Sequence, residues 1–215
     1  MEDKEYKIGL YDHCHNLEVF SEVPKKSACL DVGCWTGNLG QYLIKNKDCT
    51  VDGIELNADA LAAAKKRGYR NCYLADLNKF HHEDIVNVYD FIICADVLEH
   101  LVDPGLLIVE LGKLLGKNGK IIISVPNVCF VLQRFMMILG RFDYDPRGGI
   151  MDAGHLRFFT KKSIEKLCLV RNFKIVESRG YSQVKNKYFF LRPLARLWPS
   201  LFAIQFLLII KKNER

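Results

Sequence analysis

The sequence predicts an α/β fold, a doubly wound and mostly parallel sheet, and three observations predict it. Apolar runs of strand length at 28–32, 50–55, 71–74, 89–94 and 120–127 alternate with stretches of helical periodicity, the pattern of parallel strands joined by crossovers. The first run breaks into a glycine turn, Asp31-Val32-Gly33-Cys34-Trp35-Thr36-Gly37, before helical spacing resumes at Leu39, Tyr42 and Leu43. The second run ends in an acid, Glu55, 18 residues beyond Gly37, about where a carboxylate can take both ribose hydroxyls of a nucleoside.

Each element has its own local reason. Residues 6–24 are expected to contain a helix with Leu10, Cys14, Leu17 and Phe20 on one side, packed over the ligand end of the sheet. After the first strand, Gly33 and Gly37 permit positive φ and close backbone approach, and the helix over 37–46 presents unpaired N–H groups. Gly-x-Gly-x-x-Gly is absent, so a pyrophosphate is not the expected ligand. A helix follows the second strand, with Asp59 early, Lys65, Lys66 and Arg67 late, and Gly68 as its stop. The third strand ends at Asp76, which either caps a turn or meets a ligand. The fourth, Tyr89 to Cys94, is continuously apolar, as in buried parallel sheets, and leads into Ala95 and Asp96 at the carboxyl edge where open α/β sheets bind ligands. Asp103-Pro104 opens the next helix, and Asn118-Gly119 turns into the fifth strand. Residues 128–139 are apolar almost all round, so that helix needs cover: burial, a lid position over substrate, or a membrane surface. Thr160 caps a helix over 161–170, 173–178 alternates as a strand, 188–199 is either a packed loop or an interfacial patch, and 201–210 predicts the last strand.

At 215 residues and 49% hydrophobic content the chain is expected to form one domain, residues 1–215, with 128–160 inserted to cover substrate. The start of the chain carries no secretory pattern and the longest apolar stretch is short of the ~20 residues of a membrane helix. The eight cysteines contain no Cys-x-x-Cys pair, so a reducing, cytoplasmic setting is expected. The clusters His13-Cys14-His15 and His81-His82-Glu83 lack zinc-ligand spacing, and no metal is expected. Residues 1–126 hold 14 Lys and Arg against 19 Asp and Glu, whereas residues 127–215 hold 17 against 6. The basic half is either a surface for an anionic substrate or a solvated face.

The glycine turn resembles the first motif of the class I S-adenosylmethionine-dependent methyltransferases, acid-x-Gly-x-Gly-x-Gly, with Trp35 standing where the middle glycine usually sits. Glu55 at the ribose position, Asp76-Leu77 at the adenine position and Ala95-Asp96-Val97-Leu98-Glu99-His100-Leu101 after the fourth strand follow in the family's order. The resemblance implies S-adenosyl-L-methionine as cofactor, with Tyr11, Asp31, Gly33, Cys34, Trp35, Gly37, Glu55, Leu56, Asp76, Leu77, Ala95 and Asp96 around it. It also implies a Rossmann-like, seven-stranded sheet whose last strand is antiparallel, with a helical lid after the fifth strand.

Gly140-Arg141-Phe142-Asp143-Tyr144 and His155-Leu156-Arg157-Phe158-Phe159-Thr160 look like the insertion of a methyltransferase subgroup associated with glycosyltransferases in surface-polysaccharide synthesis. That subgroup commonly carries a bulkier pair where this chain has Ala153-Gly154. The expected reaction is O-methylation of a small or saccharide-like acceptor. His155 is the first candidate base, or else a structural histidine in a lid hinge; Asp152 would orient it, Arg157 would hold an anionic group, and His100 is the second choice. The Asn/Asp-Pro-Pro-aromatic motif of amino-methylating nucleic-acid enzymes is missing after the fourth strand, so no nucleic-acid substrate is expected. A cofactor-binding module without turnover is the alternative, and the oligomeric state is left open.

Overall fold

In the computed structural model, residues 16–146, 148–182 and 192–213 are described. The apolar runs become strands of one sheet, whose central strands bury side chains on both faces. Its strands are β1 (Ala28–Val32), β2 (Thr50–Glu55), β3 (Cys72–Leu74), β4 (Tyr89–Ala95), β5 (Leu115–Pro126), β6 (Phe173–Tyr181) and β7 (Gln205–Lys212), in the order β3-β2-β1-β4-β5-β7-β6. Neighbours from β3 to β5 are parallel, and β7 runs antiparallel to both β5 and β6. The carboxyl ends of β1, β2, β3 and β4 therefore share one edge, as expected for the site.

The period of two along the strands divides the core into two layers. Ile93, Ile122 and Leu207 face α1 (Leu17–Glu22), α2 (Asn38–Lys47) and α3 (Ala58–Lys66), among Val19, Leu43 and Leu61. Ile92, Ile121, Ile123 and Leu208 face the other way, with Leu107, Ile108 and Leu111 of α4 (Pro104–Lys113) and Ile164 and Cys168 of α6 (Lys161–Leu169). Caps fix where these helices start. The Asn57 side-chain Oδ1 accepts from Ala60 N, and Thr160 and Ser163 form a reciprocal capping box at α6.

Four expectations are corrected. The helix expected within 6–24 is present as α1, capped by Asn16, but its inward face is not the one read: it buries Val19 while Leu17 is exposed, because its phase is set by docking on the sheet, and Leu10 and Cys14 lie outside the described residues. Asn118-Gly119 is not a turn before the fifth strand but lies inside β5, where the register against β4 jumps from Tyr89–Leu115 to Phe91–Lys120. A Cβ on Gly119 would stand 2.8 Å from the Tyr89 carbonyl oxygen, so only glycine passes there without displacement. The stretch read as a loop at 188–199 contains α7 (Arg192–Leu197). The start of the strand read over 201–210 is taken by α8 (Pro199–Phe202), with a proline in its first turn, so β7 begins at Gln205.

The apolar helix over 128–139 is α5 (Val131–Ile138), and burial is not its answer: none of its residues is buried, and Phe135 and Ile138 are exposed. No helix among the described residues is long and apolar enough to cross a membrane.

Candidate active site

The glycine turn is built by one buried tyrosine. Tyr69 donates its hydroxyl to Asp31 Oδ2 at 2.6 Å and accepts from Gly40 N at 3.1 Å, tying β1 to the first turn of α2. A Cβ on Gly40 would lie 2.1 Å from the Tyr69 oxygen, which explains that glycine. Gly33 and Gly37 have φ of 65° and 83°, and Trp35, in the middle-glycine position, has φ of 49°. Trp35 thus follows the left-handed path itself, at a backbone cost of about 1 kcal/mol. Its N–H donates to Glu55 Oε2 at 3.0 Å. Burial pushes the Asp31 carboxyl up to about 7, against the Tyr69 hydrogen bond. Asp31 therefore shapes the turn with its side chain already engaged, and Cys34 is buried beneath it.

Glu55 closes β2. Its Oε1 accepts from the N–H groups of Leu56 and Asn57 at 2.8 and 2.9 Å, so with Trp35 three backbone donors fix this carboxylate at the sheet edge. Leu56 and, opposite Glu55 on β3, Leu74 are both exposed. Asp76 Oδ1 accepts from Asn78 N at 2.9 Å in a tight turn, and Leu77 packs against the core. Ala95 ends β4. Asp96, with φ of 56°, accepts on Oδ1 from Ser124 Oγ at 3.1 Å and Gln205 Nε2 at 2.7 Å. Tyr11 lies outside the described residues.

The insertion reaches this edge through backbone bonds: Leu156 N and Arg157 N both donate to the Glu99 carbonyl, at 2.8 and 2.9 Å. They bring together His100 and His155, 55 residues apart in sequence, with ring centroids 4.8 Å apart. His155 is 7% exposed and its Nδ1 lies 3.1 Å from the Ile150 carbonyl oxygen; His100 is exposed, with Nδ1 3.1 Å from the Gly154 carbonyl oxygen. Burial, and the neighbouring His100, hold the His155 imidazole below its ordinary pKa, so it is neutral near pH 7. Phe142, Tyr144 and Phe158 form a chain of ring contacts that ends on His155.

Two expected roles are redistributed. Asp152 does not orient His155: its Oδ1 accepts from Gly154 N at 2.6 Å, and the Ile150 carbonyl does the orienting because the turn over 150–155 folds that oxygen back onto the ring. Arg157 spends its guanidinium on the Val102 carbonyl. The small Ala153-Gly154 pair has a local reason, since a Cβ on Gly154 would meet Asp152 Oδ1 at 3.1 Å and His100 Nδ1 at 3.2 Å. Sequence reading missed Tyr69, which nothing in its local pattern marks because it meets Asp31 and Gly40 only across the fold. Glu99 stands out in the run after the fourth strand as either catalytic or a group that fixes its loop, but its burial beside His155 follows only from the fold.

A glycine turn, a fixed carboxylate ending β2 and an acid after β4, all on one edge of this sheet, define a class I S-adenosylmethionine-dependent methyltransferase. A family model described as a methyltransferase domain matches residues 6–178, and the chain belongs to that family. The ubiquinone biosynthesis O-methyltransferase of Glaesserella parasuis serovar 5 is 28% identical over 164 residues, covering 71% of this chain and 67% of that protein. Among solved structures, an S-adenosylmethionine-dependent methyltransferase from Mesorhizobium loti superposes with a TM-score of 0.65 at 16% identity, over 95% of this chain and all of that one. The magnesium protoporphyrin IX methyltransferase from Synechocystis, solved with bound S-adenosylmethionine, does so with a TM-score of 0.54 at 17% identity, over 92% and 74%.

S-adenosylmethionine is the cofactor of this class, and the residues present fit it. Glu55 is a fixed acceptor beside two uncovered leucines, a combination suited to ribose hydroxyls and an apolar ring. When bound, the cofactor supplies an electrophilic methyl group.

Proposed function

We propose that this chain methylates an oxygen of a small, ring-bearing acceptor, saccharide-like and anionic, held between Asp96 and the insertion over 128–160. The observation that carries the reading is the meeting of His100 and His155 with Glu99 at the carboxyl end of β4. An alcohol must lose a proton as its oxygen is methylated, and the cluster puts proton-accepting groups where the acceptor enters. With Nδ1 of His155 facing a carbonyl, that nitrogen carries the proton and Nε2 presents a lone pair, making His155 the first group to receive it and His100 the second. Exposed Phe142 and Tyr144 offer faces on which an acceptor ring stacks. The excess of Lys and Arg after residue 126 favours an anionic acceptor. The naming of the relatives as O-methyltransferases supports oxygen as the accepting atom. The likeness of 140–144 and 155–160 to the polysaccharide-associated subgroup supports a saccharide. The whole chain then acts as one domain.

Calorimetric titration with S-adenosylmethionine tests the cofactor half. Glu55→Ala should weaken binding on the order of 10–100-fold, the size of a lost hydrogen-bond set to a charged group. Release of the demethylated cofactor, followed over a panel of sugars, uronic acids and phenols, tests the acceptor half. Turnover that His155→Ala abolishes while cofactor affinity is kept supports the assignment. Tight cofactor binding with no turnover on any hydroxylated acceptor, or transfer to nitrogen alone, overturns it.

A further inference from the structure

Glu99 is 1% exposed, and among the described residues neither of its side-chain oxygens has a hydrogen-bond partner. A carboxyl group in that position costs several kcal/mol unless something of opposite charge meets it. Asp96 and Asp152 are the other acids acting on it, and both make the place more negative. The groups facing it are the two imidazoles: His155 Nε2 stands 4.0 Å from Glu99 Oε1, too far for a hydrogen bond. One ligand atom from each of Glu99, His100 and His155 lies within 4.8 Å of the others.

The two rings share a further feature. Each has Nδ1 against a backbone carbonyl, Gly154 for His100 and Ile150 for His155, so each is held in the tautomer that leaves Nε2 with a free lone pair. A carbonyl on the distal nitrogen is the support that metal-binding histidines ordinarily have. We propose that Glu99, His100 and His155 form a binding site for a divalent first-row transition cation, with zinc as the best-matched ion.

Two imidazoles and one carboxylate suit such an ion better than magnesium or calcium, and three protein ligands leave a coordination position open. A tetrahedral ion with ligands at about 2.1 Å holds them about 3.4 Å apart, so the cluster must close by roughly 1 Å. His100, on the exposed side, is the residue free to make that movement. The expectation of no metal rested on clusters contiguous in sequence; this one needs Glu99-His100 and a histidine brought back by the insertion. The role of the ion rests on the proposed function: an acceptor hydroxyl in the open position becomes acidic enough to lose its proton to solvent water before its oxygen takes the methyl group, and His155 then serves as a ligand in place of a base. The binding itself does not rest on it.

The test is titration of chelator-treated full-length protein with Zn2+ by calorimetry and with Co2+ by its ligand-field absorption, for the wild type, His100→Ala and Glu99→Gln, with S-adenosylmethionine affinity measured on each. His100→Ala replaces an exposed side chain, so it keeps the comparison valid if the buried Glu99→Gln variant fails to fold. One wild-type site per chain, with a tetrahedral Co2+ spectrum, weakened at least 10-fold in His100→Ala while cofactor affinity is kept, is the expected result. Equal Zn2+ and Co2+ uptake by wild type and His100→Ala overturns the proposal, because any metal bound then sits on other histidines or cysteines. Wild type that binds Zn2+ at this site but not S-adenosylmethionine would sink the methyltransfer reading and leave the metal site standing.

Discussion

Single side chains at this site do two kinds of work, and substitutions separate them. Gly154→Ala places a methyl group 3.1–3.2 Å from Asp152 and His100, so it should cut methyl transfer by about 10-fold or more through displacement of His100. S-adenosylmethionine affinity, which the proposed function assigns to Glu55 and the glycine turn, should stay unchanged in the same protein. Asp31 behaves differently, because its carboxyl is raised from 3.8 to about 7 by burial. A carboxyl raised on folding takes up its proton more readily in the folded state. Its contribution is therefore complete below pH 4 and is lost as pH rises through 7. Asp31→Asn carries no such titration, so its melting temperature relative to wild type should climb as pH is raised from 4 to 8. A difference that is flat or falls with pH would show that Asp31 is not held as a buried acid. Trp35 illustrates how a residue is legible in type yet not in consequence: its place in the motif is plain from the sequence, but only φ shows that it follows the path of the missing glycine.

At the scale of elements, caps and packing carry separable energies. Thr160→Ala removes the acceptor for Ser163 N at the start of α6 and should cost about 1 kcal/mol in denaturant unfolding. Ile122, fully buried in β5 and facing the layer of α1 to α3, should cost about 2–5 kcal/mol as Ile122→Ala. A loss nearer to that of Thr160→Ala would mean the layer repacks around the cavity. Helix and strand starts were readable where a local signal exists, such as Thr160 and the Asp103-Pro104 pair. They were misread where distant packing sets the phase: α1 turns Val19 inward, β5 absorbs Asn118-Gly119 into a bulge, and α8 occupies the beginning of the last apolar stretch. In α5 the apolar composition gave the helix, but composition carries no information on what surrounds it.

Across the molecule, the sheet gathers its chemistry on one edge by topology. Parallel strands all end on the same side, so a glycine turn, Glu55, Asp76 and Asp96 that are far apart in sequence meet there automatically. The proposed acceptor side has no such guarantee. It depends on the insertion folding back so that Leu156 and Arg157 bond the Glu99 carbonyl, which carries His155 to His100.

The amino-acid sequence by itself thus determined the doubly wound, mostly parallel sheet and the gathering of the glycine turn and the strand-end acids on one of its edges. Periodicity, glycine placement and the acids at strand ends are local properties, and parallel topology converts them into position. Only the tertiary structure decided that Tyr69 stitches the glycine turn to α2, that Ile150 rather than Asp152 orients His155, and that the Glu99 side chain lies buried beside two histidines with no hydrogen-bond partner among the described residues. The first and last of these join residues tens of positions apart, whose distances follow from how the helices and the 128–160 segment pack on the sheet, and the second depends on how the turn over 150–155 folds back on the ring.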